Sequence, residues 1–168
     1  MKKNIIIFGS SGHALEIFQC LNTKKDYNFL GFVEKNKNKN KNKNKIYCYD
    51  NDIERLSKKN IFGIVGVYDL AIRKKIVKKI FSINPNFKFT SIISKNSFVS
   101  KKSKIGINVF IANGVIINSN SIIKDHTVIN TGAIIEHDCV VNNFVNISPN
   151  STILGNTTIS NEVFIGAG

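Results

Sequence analysis

An aliphatic residue recurs at every sixth position through the second half of the chain, and this repeat restricts the fold more than any other feature. A period of six fits neither the 3.6-residue turn of an α-helix nor the two-residue alternation of a lone strand. The fourth residue after each aliphatic one is small or β-branched. The series runs without a gap through Ile93, Val99, Ile105, Ile111, Ile117, Ile123, Ile129, Ile135, Val141, Ile147, Ile153, Ile159 and Ile165.

A triangular prism accommodates this period. Three hexapeptides make one turn of the prism, with the aliphatic side chains on the axis and the smaller residues beside them near the corners. Successive turns then stack as parallel strands about 4.8 Å apart. The repeat therefore predicts a parallel β-helix over residues 91–168, and a right-handed or irregular solenoid is the alternative.

The chain before the repeat begins with a strand, a glycine turn and a helix. Residues 4–8 are apolar, Gly9 to His13 form the turn, and residues 14–21 have helical spacing. Backbone N–H groups at such a helix start can hold a phosphate. The turn lacks the full GxGxxG pattern, so an ordinary strand-to-helix turn remains the alternative.

The rest of this first part continues the alternation of strand and helix. A second strand, residues 28–33, ends at Glu34, where a carboxylate can meet a sugar hydroxyl or stand in a solvated turn. Residues 61–67 predict a third strand, 70–82 a helix and 87–93 an extended lead-in. We expect an α/β Rossmann-like half-domain over residues 1–90. Because it is short for a dinucleotide fold, a mononucleotide or nucleotide-sugar ligand is favoured over NAD.

Composition excludes several classes of protein. The net charge of +13 owes much to a Lys-Asn low-complexity loop at residues 35–45, and the chain has no Trp. We therefore expect no nucleic-acid partner, although a basic nucleic-acid-binding protein is the alternative. No apolar run is long enough to cross a membrane. The three cysteines form no CxxC pair, which predicts a reducing, cytoplasmic setting and no metal site.

Four segments resemble the bacterial sugar acetyltransferases of the sialic acid O-acetyltransferase type. They are Gly9-Ser10-Ser11-Gly12-His13-Ala14, Gly31-Phe32-Val33-Glu34, Ile72-Arg73-Lys74-Lys75-Ile76 and Asn130-Thr131-Gly132-Ala133-Ile134-Ile135-Glu136-His137-Asp138-Cys139. That family includes N-acetyltransferases of UDP-4-amino sugars on the routes to bacillosamine or perosamine. The resemblance implies that the hexapeptide repeats form a left-handed β-helix, that the protein is a homotrimer, and that acetyl-CoA lies along the prism between two subunits.

The resemblance also implies a place for the nucleotide sugar. In the family the N-terminal domain holds this substrate, which would here meet the glycine turn and the acidic residue, with two further residues flanking it. The residues concerned are Gly9, Ser10, Ser11, Gly12, His13 and Glu34, flanked by Gly66 and Arg73.

His137 is the candidate general base. It follows Ile135 by two residues, which places it off the prism axis near a corner, and imidazole has a suitable pKa for the role. Asp138 could orient the ring. Gly155 lies eighteen residues on, one coil above, where its N–H could stabilise an oxyanion. A solvent-exposed corner histidine is the alternative interpretation.

Further roles follow from the resemblance alone. Asn130 matches a family position near the reacting centre, and Asn146, Gly155 and Gly166 would contact acetyl-CoA. Asn146 stands where many relatives have a second histidine, and an amide cannot shuttle a proton. Outside the motifs, His126 is predicted to be a surface histidine and Cys139 a packed core residue.

The sequence thus predicts an acetyl-CoA-dependent acetyltransferase acting on a nucleotide-linked amino sugar, or on a sialic acid-type sugar hydroxyl, in bacterial surface glycan biosynthesis. It leaves open which sugar is used and whether nitrogen or oxygen is acetylated. The chain ends at Gly168 inside a hexad, whereas relatives continue for further coils. The alternative is therefore a non-catalytic, nucleotide-sugar-binding remnant without the C-terminal coils that hold coenzyme A.

Overall fold

A computed structural model describes residues 2–35, 45–49, 56 and 60–168. The chain divides into two compact units, Met1–Thr90 and Ser91–Gly168. Most of the predicted low-complexity loop, residues 36–44, lies outside the described residues. Within the described part of the chain, neither helix is long and apolar enough to cross a membrane.

Among its described residues, the first unit has a parallel five-stranded sheet and two helices. The strand order is β3-β2-β1-β4-β5, so the chain moves to one side of β1 for two strands and then crosses to the other. In chain order the elements are β1 (Lys3–Phe8), α1 (Gly12–Asn22), β2 (Tyr27–Glu34), β3 (Ile46–Tyr49), β4 (Ile61–Val65), α2 (Leu70–Ile83) and β5 (Lys88–Phe89).

The sequence missed one strand of this sheet and merged another with the next unit. Strand β3 was not predicted because four residues beside a low-complexity segment give too short a pattern. The predicted lead-in divides in two: β5 pairs with β4, whereas Ile92–Ile93 pairs with a strand of the second unit. The third predicted strand ends at Val65 rather than Val67.

Aromatic rings fill part of the core of the first unit. Phe8, Phe87 and Phe89 pack with ring centroids 5.1–6.4 Å apart. Gly63 makes room for them, since a Cβ at this position would lie 2.7 Å from the Phe8 ring and 2.8 Å from the Phe87 ring. This packing fixes β4 beside β1 and so sets the edge at which both strands end.

The second unit is built from two-residue strands in three parallel sheets. Each strand pairs with the strand eighteen residues away, so that three strands and three corners complete one coil. The predicted fold class, an α/β unit followed by a parallel β-helix that is left-handed as the resemblance implies, is confirmed. The strands are β6 (Ile92–Ile93), β7 (Phe98–Val99), β8 (Lys104–Ile105), β9 (Phe110–Ile111), β10 (Ile116–Ile117), β11 (Ile122–Ile123), β12 (Val128–Ile129), β13 (Ile134–Ile135), β14 (Val140–Val141), β15 (Asn146–Ile147), β16 (Thr152–Ile153), β17 (Thr158–Ile159) and β18 (Phe164–Ile165).

The interior of the prism follows the repeat. Ile117 pairs with Ile135 and Ile135 with Ile153, so the aliphatic side chains form columns along the axis. Small polar residues in the corners are also buried, and their hydroxyls bond to neighbouring coils. Ser121, for example, donates to the carbonyl of Glu136 at 2.7 Å and accepts from the N–H of Cys139. Buried polar groups are thereby satisfied.

The corners share one backbone device. From Asn108 to Glu162, every sixth residue has a positive φ, between 54° and 71°. Asn, Asp and Gly adopt this left-handed conformation most readily, and they supply most of these positions. The turns are therefore uniform, and residues eighteen apart lie above one another at the corners as well as in the strands.

Candidate active site

The corner between β13 and β14 carries the candidate base. His137 Nδ1 lies 2.8 Å from Asp138 Oδ2, and the two side chains are 57% and 43% exposed. Against a carboxylate, Nδ1 is the donor, and in the neutral imidazole this leaves Nε2 as the acceptor nitrogen. An exposed ring in this tautomer can receive a proton from an attacking amine or hydroxyl.

Asp138 is held in the ionised state that this role needs. The side-chain hydrogen bond from Asn120, followed by that from His137, holds the pKa of Asp138 below its usual range. A carboxyl whose pKa is depressed by folding stabilises the fold at neutral pH and loses that contribution as the pH falls through the lowered value. The pair is therefore intact at neutral pH and breaks in acid.

Gly155 lies directly against the imidazole ring, one coil above. A Cβ on this glycine would lie 2.8 Å from Cε1 and 2.9 Å from Nε2 of His137. The His137 ring can therefore keep its position only if residue 155 is glycine. The structure thus brings His137, Asp138 and Gly155 together at one corner.

Replacing Gly155 with alanine tests this contact. We expect Gly155→Ala to displace the His137 ring and lower kcat about tenfold or more, because small misplacements of a reacting group are costly. The thermal midpoint should change little, since an exposed ring can move aside. Thr158→Ala, an exposed change on the same coil, is the control. Equal turnover of the two variants would show that the position of the His137 ring does not depend on Gly155.

The remaining predicted β-helix residues lie around a different corner. Asn130 and Gly166 occupy the corner that follows β12 and β18, and Asn146 is in β15, the strand between them in the stack. One face of the prism separates this corner from His137. Within one chain the structure does not bring Asn130, Asn146 or Gly166 to His137.

The local surroundings of these three residues bear on their predicted roles. Asn130 Oδ1 accepts from the N–H of Thr131 at 2.8 Å. Asn146 is 1% exposed, so the predicted contact between its side chain and acetyl-CoA has no support in this conformation. Gly166 is open, with nothing near the position of a Cβ.

The prediction for His126 was wrong. This residue is 7% exposed rather than on the surface. Asn108, one coil below, lies 2.8 Å from Nδ1, and the Phe144 ring, one coil above, stacks at 4.6 Å. The physical reason is the coil itself, since residues eighteen apart cover each other. Cys139 is fully buried, in agreement with its predicted packing role.

The glycine turn in the first unit lies where the strand order reverses. Strands β1 and β4 are neighbours, and the chain crosses from one side of β1 to the other between β3 and β4. This position is a topological switch point, where a parallel sheet leaves a crevice at the carboxyl ends of its strands. Gly9 follows β1 with φ of +95°, and its Cβ would lie 3.0 Å from Val67. A Cβ on Gly66, which follows β4, would lie 2.7 Å from Ala14. Both glycines therefore allow close packing at this edge.

Two predicted substrate residues meet at this edge. Ser10 Oγ donates to Glu34 Oε1 at 2.5 Å, and both residues are largely buried. Glu34 Oε2 accepts from the N–H of Lys35 at 3.2 Å. The acidic residue after β2 is thus linked to the glycine turn after β1, and the sequence spacing alone did not predict this bond. Ser11, the N-cap of α1, and Gly12, the first residue of that helix, are both exposed.

His13 contacts Tyr68, a residue at this edge that the sequence analysis did not single out. Its ring packs edge-on against Tyr68 at 5.5 Å, and its Nδ1 lies 3.6 Å from Glu16 Oε2. Tyr68 follows the glycine after β4. A tyrosine three residues after a strand that ends at the switch point is the signal that could have identified it.

Arg73 lies under the edge rather than on it. The side chain is 1% exposed, and Nη1 donates to the carbonyls of Val67 and Tyr68 at 3.3 and 3.1 Å. Burial lowers its pKa to about 10, while Tyr68 and Asp69 partly oppose the shift, so the guanidinium stays charged at neutral pH. In this structure Arg73 holds the loop after β4. Among the described residues, no cluster of three or more acidic, His or Cys side chains could hold a metal.

With this geometry in place, the comparisons with known proteins can be stated. Residues 4–80 match the model of the PglD N-terminal domain. The acetyltransferase domain of PglB from Neisseria gonorrhoeae superposes with a TM-score of 0.88 at 25% identity, over 99% of this chain and 81% of that one. The resemblance to hexapeptide-repeat sugar acetyltransferases is confirmed. A search of curated proteins gives no match.

Further solved structures of sugar acetyltransferases share the fold. The PglB domain is also known in complex with acetyl coenzyme A, with a TM-score of 0.89, 25% identity and coverage of 100% of this chain and 81% of that one. A perosamine N-acetyltransferase from Caulobacter crescentus, in complex with CoA and GDP-perosamine, has a TM-score of 0.86 at 23% identity, over 96% and 76% of the two chains. The latter likeness shows the fold alone.

Proposed function

We propose that this chain is an acetyl-CoA-dependent acetyltransferase that acts on a nucleotide-linked amino sugar for bacterial surface glycans. One observation carries the proposal: His137 is exposed, and its Nδ1 is engaged by Asp138, so that Nε2 is available as a base. The PglD N-terminal domain and the likeness to an acetyl-CoA-bound PglB domain support the same activity. Acetyl-CoA is the co-substrate.

The proposed reaction is a direct acyl transfer. The sugar amine attacks the thioester carbonyl while His137 Nε2 takes a proton from the nitrogen, and a new C–N bond forms. The carbon–sulfur bond then breaks, and the proton passes from His137 to the departing thiolate of coenzyme A. Asp138 stabilises the imidazolium between these steps. The N–H of Gly155 is the proposed donor to the oxyanion.

The first unit is proposed to hold the nucleotide sugar. The glycine turn before α1 offers backbone N–H groups to phosphate, and Glu34 offers a carboxylate to a sugar hydroxyl. The bond between Ser10 and Glu34 supports a single site formed by these two segments. His13 and Tyr68 line the same edge. Arg73 contributes by holding the loop that contains Gly66.

A homotrimer fits the distribution of the predicted residues. The base and Gly155 lie at one corner of the prism, while Asn130 and Gly166 lie at another. Two copies packed side by side would bring these two corners together. The outer face between the corners exposes Phe98 at 59% and Ile116 at 37%, and burying such side chains would stabilise the assembly. We therefore propose that acetyl-CoA binds between subunits.

The deciding experiment measures thiol release from acetyl-CoA with a panel of UDP- and GDP-linked 4-amino sugars. Stoichiometric release of coenzyme A and formation of the N-acetyl sugar, identified by mass spectrometry, are the expected results. Calorimetric titration with acetyl-CoA and with each nucleotide sugar accompanies the assay. Binding of a nucleotide sugar without any binding of acetyl-CoA would overturn the enzyme and favour the non-catalytic alternative.

A further inference from the structure

We infer that Asn120 is a positioning residue for the proposed acyl transfer: it fixes the Asp138 carboxylate so that His137 keeps its proton on Nδ1. This inference rests on the proposed function of His137. The observation is a chain of two hydrogen bonds across two coils. Asn120 Nδ2 donates to Asp138 Oδ1 at 3.0 Å, and Asp138 Oδ2 accepts from His137 Nδ1 at 2.8 Å.

The two bonds use different oxygens of one carboxylate. Asp138 is 43% exposed, so packing restricts its rotamer less than it would restrict that of a buried side chain. A bond to Oδ1 from the coil below restricts rotation of the carboxylate about its own axis. The oxygen that remains, Oδ2, then points to the ring. An orienting partner of this kind sets the tautomer of a histidine by its hydrogen bond to the other nitrogen.

The backbone at this corner places Asn120 for the task. Asn120 and Asp138 are eighteen residues apart and both have the left-handed conformation, with φ of 64° and 58°. Their side chains therefore leave the prism from equivalent positions on successive coils. The Asn120 amide can therefore donate to Asp138 on the next coil without any change in the main chain.

Two polar residues close to the pair, Glu136 and Asn156, make hydrogen bonds elsewhere than to Oδ1. On the same coil, Glu136 accepts from Asn118 at 2.8 Å, so its carboxylate has its own amide from the coil below. On the coil above, Asn156 bonds to this corner through its main-chain N–H, which donates to the carbonyl of His137 at 3.0 Å. Lys101 and Lys102 belong to the corner two coils below Asp138.

The test replaces the amide without straining the turn. Glycine adopts the same conformation at Gly114 and Gly132, with φ of 71°, so Asn120→Gly removes the side chain and keeps the backbone. Asn156→Gly is the matched control, because Asn156 has φ of 60° at the next position of the same column. Both variants are compared with the wild-type chain by nitrogen NMR of the histidine rings and by steady-state kinetics, with His137→Gln used to assign the His137 signals.

The expected result separates the two glycine variants. Asn120→Gly should reduce the fraction of His137 that is protonated on Nδ1 at neutral pH, and lower kcat about three- to tenfold with little change in KM. Asn156→Gly should change neither. A purely structural role would not alter the tautomer at unchanged stability.

Two outcomes would overturn the inference. In one, the ring signals of Asn120→Gly match those of Asn156→Gly. In the other, the tautomer changes but kcat does not. If the wild-type chain turns over no sugar, the proposed function fails, and the ring spectra alone then decide whether Asn120 orients the pair.

Discussion

His137→Gln should lower kcat about 10²- to 10⁴-fold, the range expected for loss of a general base. The glutamine amide can occupy the corner and accept a hydrogen bond, but it cannot carry the proton from the sugar to the leaving thiolate. Because the side chain is 57% exposed, the free energy of unfolding should change by no more than about 0.5 kcal/mol. Affinity for acetyl-CoA, measured by calorimetry, should stay close to that of the wild-type chain.

The second histidine of the β-helix provides the control. His126 is 7% exposed and stacks on Phe144, so His126→Gln should lower the free energy of unfolding by about 1–2 kcal/mol. Its kcat should be unchanged, since it lies at another corner. A His137→Gln enzyme with more than a tenth of wild-type kcat would reject His137 as the base.

Arg73→Met should lower the free energy of unfolding by about 2–4 kcal/mol. The side chain is 1% exposed and donates to the carbonyls of Val67 and Tyr68. Methionine fills much of the same volume but leaves both carbonyls without that donor in a buried setting, which is costly. Urea unfolding at constant m-value measures the change.

The same variant should also weaken nucleotide-sugar binding. The carbonyls that Arg73 holds belong to the loop after β4, which carries Gly66 and Tyr68 at the proposed sugar site. Lys75→Met removes the same charge from an exposed position of α2 and should change stability by less than about 0.5 kcal/mol. If the two variants have equal urea midpoints, Arg73 does not hold this loop.

Contacts in the β-helix could be predicted from the sequence where the two residues are eighteen positions apart. Eighteen-residue arithmetic placed Gly155 over His137 correctly, because every coil has the same length. The same arithmetic would have paired His126 with Asn108 and Phe144, and the expectation of a surface histidine came from considering that residue without its neighbours. Seven residues is no multiple of a coil, so Asn130 could not lie over His137 in one chain.

Other features depend on side-chain packing that no pattern encodes. The bond between Ser10 and Glu34 joins the turn after β1 to the end of β2, and its geometry follows from the close approach of that turn to β2. Burial of Arg73 was not predicted because its position in a lysine-rich helix suggests an exposed face. The buried guanidinium is explained by the two carbonyls after β4 that accept its hydrogen bonds, and these are known only from the structure.

The uniform coil has a consequence for how the protein folds. Every strand pair in the second unit joins residues eighteen apart, so β-structure can grow by adding one coil at a time to a stacked end. Asn120, Asp138 and Gly155 come from three successive coils, and His137 has its surroundings only when all three have docked. The chemical environment of His137 thus reports that these three coils have docked, and a species that lacks one of them would contain β-structure but no organised corner.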